Sequence, residues 1–210
     1  MKNTHANNGH HHADGAHTKN AFENVELFLE IFDGPARDAW QKPGAVIKSF
    51  NLTDTAVVVE IGSGTGYFAV RLASLIPNGK VICFDRALPM VTYLTHRAQE
   101  LGLVTIDSRK TNSDGTVEFK EKADLIFSVD VYHHLENRIT YFSNLKDNLK
   151  RNGVLVIIDR NREEAVGQPT GHQLAKDEVI AEMKNAGFEL VSDFDFLLPV
   201  QYHLTFKSVL

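Results

Sequence analysis

The stretch Val57-Val58-Val59-Glu60-Ile61-Gly62-Ser63-Gly64-Thr65-Gly66-Tyr67-Phe68 constrains the fold more than any other part of the chain. Its first half is a β-branched run with little polar alternation, the pattern of a parallel strand covered on both faces. Glycines at 62, 64 and 66 then let the backbone turn tightly and approach a ligand where a Cβ would collide. A helix starting at Tyr67 points its free N-terminal amides at whatever fills that gap. Strand, glycine loop and helix in this order predict an α/β domain with its ligand at the carboxyl ends of the strands.

The glycine spacing narrows the ligand. A dinucleotide fingerprint needs Gly-x-Gly-x-x-Gly, and the position that motif wants, 67, is Tyr, which disfavours a nicotinamide dehydrogenase. Glu60 sits two residues before the first glycine, where a carboxylate suits a cationic amine better than a pyrophosphate. In these residues the stretch resembles motif I of the class I methyltransferases that use S-adenosylmethionine (SAM). The resemblance implies that Glu60 engages the methionine amino group through water or backbone. It also implies that Gly62, Ser63, Gly64, Gly66 and Tyr67 line the cofactor.

Further along, Tyr67–Ile76 reads as a helix, Pro77-Asn78-Gly79 as a turn and Lys80–Phe84 as a strand ending at Asp85. In the family an acid at this strand end binds both ribose hydroxyls, and a carboxylate is suited to accept two such hydrogen bonds. Arg86 and Met90 follow as candidates for the ribose or adenine side. A helix with Pro89 in its first turn runs to about Leu101, and Leu103–Arg109 is a modest third strand. The family often places a side-chain oxygen just past this strand to receive the adenine amino group. Asn112 and Asp114 compete for that role, and a plain Asp-Gly turn explains the same residues.

Ala123–Asp130 reads as a fourth buried strand, with Val129 and Asp130 at its cofactor end and Val131-Tyr132-His133-His134 running into the cleft. Enzymes that methylate exocyclic base amines carry an Asp/Asn-Pro-Pro-Tyr/Phe motif here, and this chain has no such prolines. A helix over Ile139–Leu149, with Lys150/Arg151 at its end and Asn152-Gly153 as its stop, precedes a fifth strand over Gly153–Ile158. Residues 161–174 form a polar loop, Lys176–Ala186 a last helix, and Glu189–Phe196 with Gln201–Phe206 a terminal hairpin. The resemblance then implies a Rossmann-like seven-stranded, mostly parallel sheet of order 3-2-1-4-5-7-6, strand 7 antiparallel, with helices on both faces.

Before that core, residues 1–20 are polar and hold five of the ten histidines, a composition that predicts disorder. Residues 21–50 read as a cap of two short helices, interrupted at Asp33-Gly34-Pro35 and Pro43-Gly44. In many relatives of this kind such a segment lids the pocket, so Arg37, Trp40 and Gln41 are pocket candidates, Trp40 for substrate. The domain proper is expected over 51–210.

The lone cysteine, Cys83, rules out an intrachain disulfide, a Cys-ligated metal site and the multi-cysteine chemistry of arsenite methylation. No metal site is expected. A net charge of −5 with scattered Lys and Arg argues against broad nucleic-acid binding. No apolar run approaches transmembrane length and the N-terminus lacks a signal-peptide core, so a cytoplasmic location is expected if Met1 is the natural start.

The expected function is methyl transfer from SAM, with S-adenosylhomocysteine (SAH) as product, to a small-molecule acceptor. The sulfonium is already activated, so alignment of acceptor, methyl and sulfur supplies most of the acceleration. A general base is needed only for an acceptor proton of high pKa. His133 is the first candidate for it, Tyr132 a second orienting group, and His172 and His203 are weaker ones, His172 on the substrate loop. A nucleic-acid or protein methyltransferase, or a SAM-binding protein without turnover, are the alternatives on the same fold.

Overall fold

Val57–Ile61 becomes strand β1 of a seven-stranded sheet in a computed structural model of the protein, which describes residues 25–161 and 173–209. The other strands are β2 (Lys80–Asp85), β3 (Ile106–Lys110), β4 (Ala123–Val129), β5 (Leu149–Arg160), β6 (Phe188–Phe194) and β7 (Gln201–Ser208). Their order is β3-β2-β1-β4-β5-β7-β6, and β7 alone runs antiparallel to both its neighbours, as the family resemblance implies. The chain order reverses between β1 and β4, both parallel to each other, and this switch point opens a crevice at their carboxyl ends.

The helices are α1 (Val25–Asp33), α2 (Pro35–Gln41), α3 (Pro43–Ser49), α4 (Tyr67–Leu75), α5 (Leu88–Glu100), α6 (Arg138–Leu145) and α7 (Lys176–Asn185). Period-two alternation along the strands feeds two cores. Val59, Ile61, Ile82 and Phe84 pack with Phe142 of α6 and Val179 and Met183 of α7. Val58, Val81, Cys83 and Phe127 pack on the other face with Val46 of α3, Phe68 and Leu72 of α4 and Leu94 of α5. Each such side chain contributes about 1.5–3 kcal/mol on burial, so the sheet holds its strand ends rigidly. Among the described residues no helix is long and apolar enough to cross a membrane.

Two local expectations are corrected. The N-terminal cap has three helices, because Pro35 and Pro43 each start a helix instead of breaking one. Lys42, in the left-handed region at φ 45°, both ends α2 and begins α3. Downstream, α6 stops at Leu145, a 3-10 turn covers Lys146–Asn148, and Lys150, Arg151 and Asn152 already lie in β5. Gly153 is therefore no helix stop. It sits where the β4–β5 register shifts, and a Cβ on it would lie 2.6 Å from the Ala123 carbonyl oxygen, so the irregularity demands glycine.

Candidate functional site

The cleft begins at the glycine loop. Gly62 (φ 76°) and Gly66 (φ 87°) occupy the left-handed region, and a Cβ on either would strike a side chain at 2.2 Å, Val131 for the first and Leu94 for the second. The loop is stitched to β2: the amides of Gly62 and Ser63 donate to the Phe84 carbonyl at 2.7 and 3.0 Å. Asp85 completes the turn, accepting the Gly64 amide at 2.8 Å on one oxygen and the Ala87 amide at 2.9 Å on the other. Burial raises the pKa of its carboxyl against these amides, which lower it.

Glu60 lies buried below the loop, and its Oε2 has no hydrogen-bond partner among the described residues. Desolvation pushes its carboxyl well above the usual range, partly relieved by the Arg37 charge and aggravated by Asp85. Ser63 Oγ, Thr65 Oγ1 and Thr111 Oγ1 are likewise enclosed without a described partner. Thr111 follows β3 directly, and its amide donates to the Asp85 carbonyl at 3.0 Å. Asn112 and Asp114, by contrast, are spent within one turn: the Asn112 amide donates to Thr116 Oγ1 at 3.0 Å and Asp114 Oδ1 accepts the Thr116 amide at 2.9 Å. Met90 and Val129 are buried beside the cleft and Arg86 is exposed.

Helix α2 covers the cleft from one side. The Arg37 guanidinium donates to the Phe32 carbonyl at 2.7 Å and to Gln41 Oε1 at 3.2 Å, and lies 4.0 Å from the centroid of the Tyr67 ring. Arg71 lies at 4.0 Å from the same ring. The Tyr67 hydroxyl donates to Asp38, so this residue fastens α2 to α4 instead of facing the loop with its phenol. Gln41 passes the chain on: its amide donates to Gln201 Oε1 at 2.7 Å, and Gln201 donates to Asp130 Oδ1 at 2.7 Å. Asp130, held at φ 55°, also faces Arg160 Nε at 3.4 Å, and Arg160 lies 4.9 Å from the Trp40 ring.

On the other side, the 3-10 turn Tyr132–His134 brings His133 to the end of β5. His133 Nδ1 lies 2.7 Å from Asp159 Oδ1, and the His133 amide donates to Asp159 Oδ2 at 3.1 Å. A carboxylate only accepts, so Nδ1 carries a proton, and in the neutral ring Nε2 holds the lone pair. Burial opposes protonation of the ring, but the Asp159 hydrogen bond and the charges of Asp159 and Asp130 outweigh it and raise the pKa above 6.5. Tyr132 is fully buried; its ring stacks on Phe142 and its hydroxyl donates to Glu182 of α7, so it packs in the core beside the turn.

The structure thus gathers Glu60, the glycines, Asp85, Asp130, His133 and Trp40 around one crevice. His203 stands apart, boxed by Phe50, Phe194 and Phe196 and hydrogen-bonded to Ser49 at 2.9 Å, with burial pushing its pKa down to about 4. His172 lies outside the described residues. Four participants were not singled out from sequence for the parts they take here: Asp159, Arg160, Gln201 and Thr111. Asp159 carried a signal, an acid at a strand end; Gln201 carried none, because antiparallel β7 alone puts it beside Asp130. Among the described residues no group of three His, Cys, Asp or Glu side chains is arranged to hold a metal.

Comparison with known proteins bears on the family and the fold. Residues 52–195 match a family model described as a methyltransferase domain. A ubiquinone biosynthesis O-methyltransferase from Cereibacter sphaeroides is 28% identical over 105 residues, which is 50% of this chain and 41% of that protein. A tRNA U34 carboxymethyltransferase from Marinobacter nauticus is 26% identical over 140 residues, 66% of this chain and 41% of that protein. The chain therefore spans less than half the length of the curated relatives it matches. A solved SAM-dependent methyltransferase from Aquifex aeolicus superposes with a TM-score of 0.78 at 24% identity, covering 87% of this chain and 97% of that one, and it shares the fold.

Proposed function

The chain belongs to the methyltransferase domain family of class I SAM-dependent methyltransferases, and from that premise we propose that it methylates a hydroxyl oxygen of a small organic acceptor, with His133 as general base. The observation that carries this reading is the His133–Asp159 pair at 2.7 Å, at the carboxyl ends of the strands beside the glycine loop.

The residues fit the cofactor. Glu60 Oε2, buried and without a described partner, suits the methionine amino group, whose charge would relieve the desolvated carboxyl. Asp85 spends one lone pair of each oxygen on backbone amides and keeps others for the two ribose hydroxyls. Gly62, Ser63, Gly64 and Gly66 leave room for the cofactor to lie against backbone, and Thr111 Oγ1 is better placed than Asn112 or Asp114 to meet the adenine side. Arg37, with guanidinium N–H groups left over from Phe32 and Gln41, would suit the methionine carboxylate.

Bound SAM supplies an electrophilic methyl group on a sulfonium and leaves as SAH. The chain's own residues do the rest. His133 Nε2 takes the proton of the acceptor hydroxyl as its oxygen becomes nucleophilic. Asp159 fixes the ring tautomer through Nδ1 and stabilises the imidazolium that forms. The rigid strand ends keep both partners in line, which supplies the larger share of the acceleration.

A tRNA acceptor has less support. The Marinobacter relative carries that substrate in its name, but this chain has a net charge of −5, whereas polyanion binding needs a basic face. The test is calorimetric titration with SAM, SAH and NAD, followed by methyl transfer from labelled SAM to a panel of phenols and to tRNA. Binding of the adenosyl ligands alone, with label on a phenol that is lost in His133→Ala, is the expected result. Binding of NAD in place of SAM would overturn the cofactor, and label on tRNA only would overturn the acceptor class.

A further inference from the structure

Most charges around the cleft are held by described partners or already have a proposed part in holding the cofactor. Asp159 accepts three hydrogen bonds, from the His133 ring, the His133 amide and the Arg160 amide. Arg37 is enclosed and anchored to α1 and Gln41. Arg160 is different. It is the last residue of β5, directly after Asp159, and its side chain is 44% exposed. Among the described residues its one carboxylate partner is Asp130, 3.4 Å from Nε, and that same oxygen already accepts the Gln201 amide at 2.7 Å. Its two terminal nitrogens have no described acceptor.

The guanidinium stays beside Trp40, with its carbon 4.9 Å from the ring centroid. Cation–π contact engages the guanidinium as a whole and leaves N–H groups free. A planar fork with unspent donors matches a carboxylate through two parallel hydrogen bonds. The partly exposed Trp40 beside it offers a flat apolar surface for a ring. Arg160 directly follows Asp159, the residue that holds the His133 ring at 2.7 Å, so the guanidinium and the imidazole both stand at the carboxyl end of β5.

We propose that Arg160 and Trp40 form the acceptor-recognition site and select a planar aromatic ring that carries both a carboxylate and the hydroxyl to be methylated. This rests on the reading of the cleft as a methyltransferase site. Arg160 supplies the anion contact, Trp40 the ring contact, and the chain Asp130–Gln201–Gln41 holds Arg160 and α2 in their relative positions. A neutral acceptor of the same shape would leave the guanidinium donors to water.

The test uses a charge-only pair of probes, a vicinal dihydroxybenzoate and the matching dihydroxybenzamide, titrated into the whole 210-residue chain saturated with SAH. The expected result is a benzoate affinity at least about tenfold above that of the amide, falling as salt is added. In Arg160→Gln the ratio falls to about one, and in Arg160→Lys part of it survives, because the charge remains while the fork is lost. Thermal unfolding shows whether each variant is folded, and the lysine variant carries the test if the glutamine one is not. Equal affinities in the wild type, binding of neither probe, or an unchanged ratio in Arg160→Gln would each overturn the proposal. If SAH itself fails to bind, the methyltransferase reading falls first. If SAH binds and the probes are not distinguished, only the recognition site falls.

Discussion

The half of the cleft proposed to hold the cofactor and the half proposed to hold the acceptor are assembled in different ways. Glu60, Gly62, Asp85 and Thr111 lie at or just past the carboxyl ends of three adjacent parallel strands. The positions of the first three follow from local pattern. The acceptor half draws Trp40 and Gln41 from α2, Asp130 and His133 from the end of β4, Asp159 and Arg160 from β5 and Gln201 from β7. One of its hydrogen bonds, Gln41 to Gln201, joins residues 160 apart in sequence. A strand end places a side chain by itself; a pairing between distant strands has to be folded before it exists.

The sharpest way to break this division is to damage each half separately. His133→Ala should lower turnover by about 100- to 10,000-fold, the range for loss of a positioned general base, while SAH affinity stays within about twofold. Asp85→Ala should do the reverse: losing a carboxylate that binds two backbone amides and the proposed ribose hydroxyls should weaken SAH by about 100-fold or more. Calorimetry and single-turnover rates on both variants check this. Equal losses in both assays for either variant would mean that the two halves act as one unit.

The pH profile sharpens the acceptor half further. The proposed base works neutral, and the pKa of His133 is raised above 6.5, so kcat/KM should climb with pH through that raised value. Asp159→Asn removes the Asp159 charge, the main influence that raises it, and leaves the smaller pull of Asp130 against the desolvation that lowers it, so the ascending limb should move to lower pH and the plateau should drop. A limb that stays in place would show that Asp159 does not govern His133.

The sequence made the cofactor half readable because its chemistry rides on motifs a few residues long. Glu60, the three glycines and Asp85 could be placed from strand, loop and strand end, and the strand order followed from the family resemblance. His133 was readable as a residue but not as a pair, since its proposed role rests on Asp159, 26 residues away. Tyr67 and Tyr132 show the opposite failure: both sit at the right place in the motif, yet both turn their hydroxyls to structural partners, Asp38 and Glu182. Neighbouring chain cannot say which way a buried phenol points when its partner comes from another helix.

A change of intermediate size tests the link that ties the two sides of the acceptor half. Gln201→Leu leaves the Gln41 amide without its acceptor and takes the amide from Asp130, a carboxyl whose pKa burial already raises. Each unsatisfied buried group costs about 1–3 kcal/mol and two lose a partner, so the expected destabilisation is about 2–6 kcal/mol, seen as a fall of roughly 4–24 °C in the thermal midpoint. Discrimination between the benzoate and benzamide probes should fall as well, because Asp130 no longer holds Arg160 in register. An unchanged midpoint would show that the glutamine chain is incidental.

The smallest effect belongs to Tyr132→Phe, and its value is in where it should be silent. The change removes one hydrogen bond to Glu182, whose carboxylate is still held by Arg138 at 2.7 Å through each of two nitrogens. The cost should be about 1 kcal/mol. Glu182 has its pKa lowered, first by the Arg138 hydrogen bonds and also by Tyr132. A lowered carboxyl stabilises the fold above its unfolded pKa of about 4.3 and loses that contribution as pH falls through its folded value. The stability gap between wild type and Tyr132→Phe should therefore be widest near neutral pH and close in acid, as chemical denaturation at several pH values would show. The ascending limb of kcat/KM should not move, since the phenol faces α7. A shifted limb with an unchanged stability gap would put Tyr132 in the cleft and return it to the catalytic side.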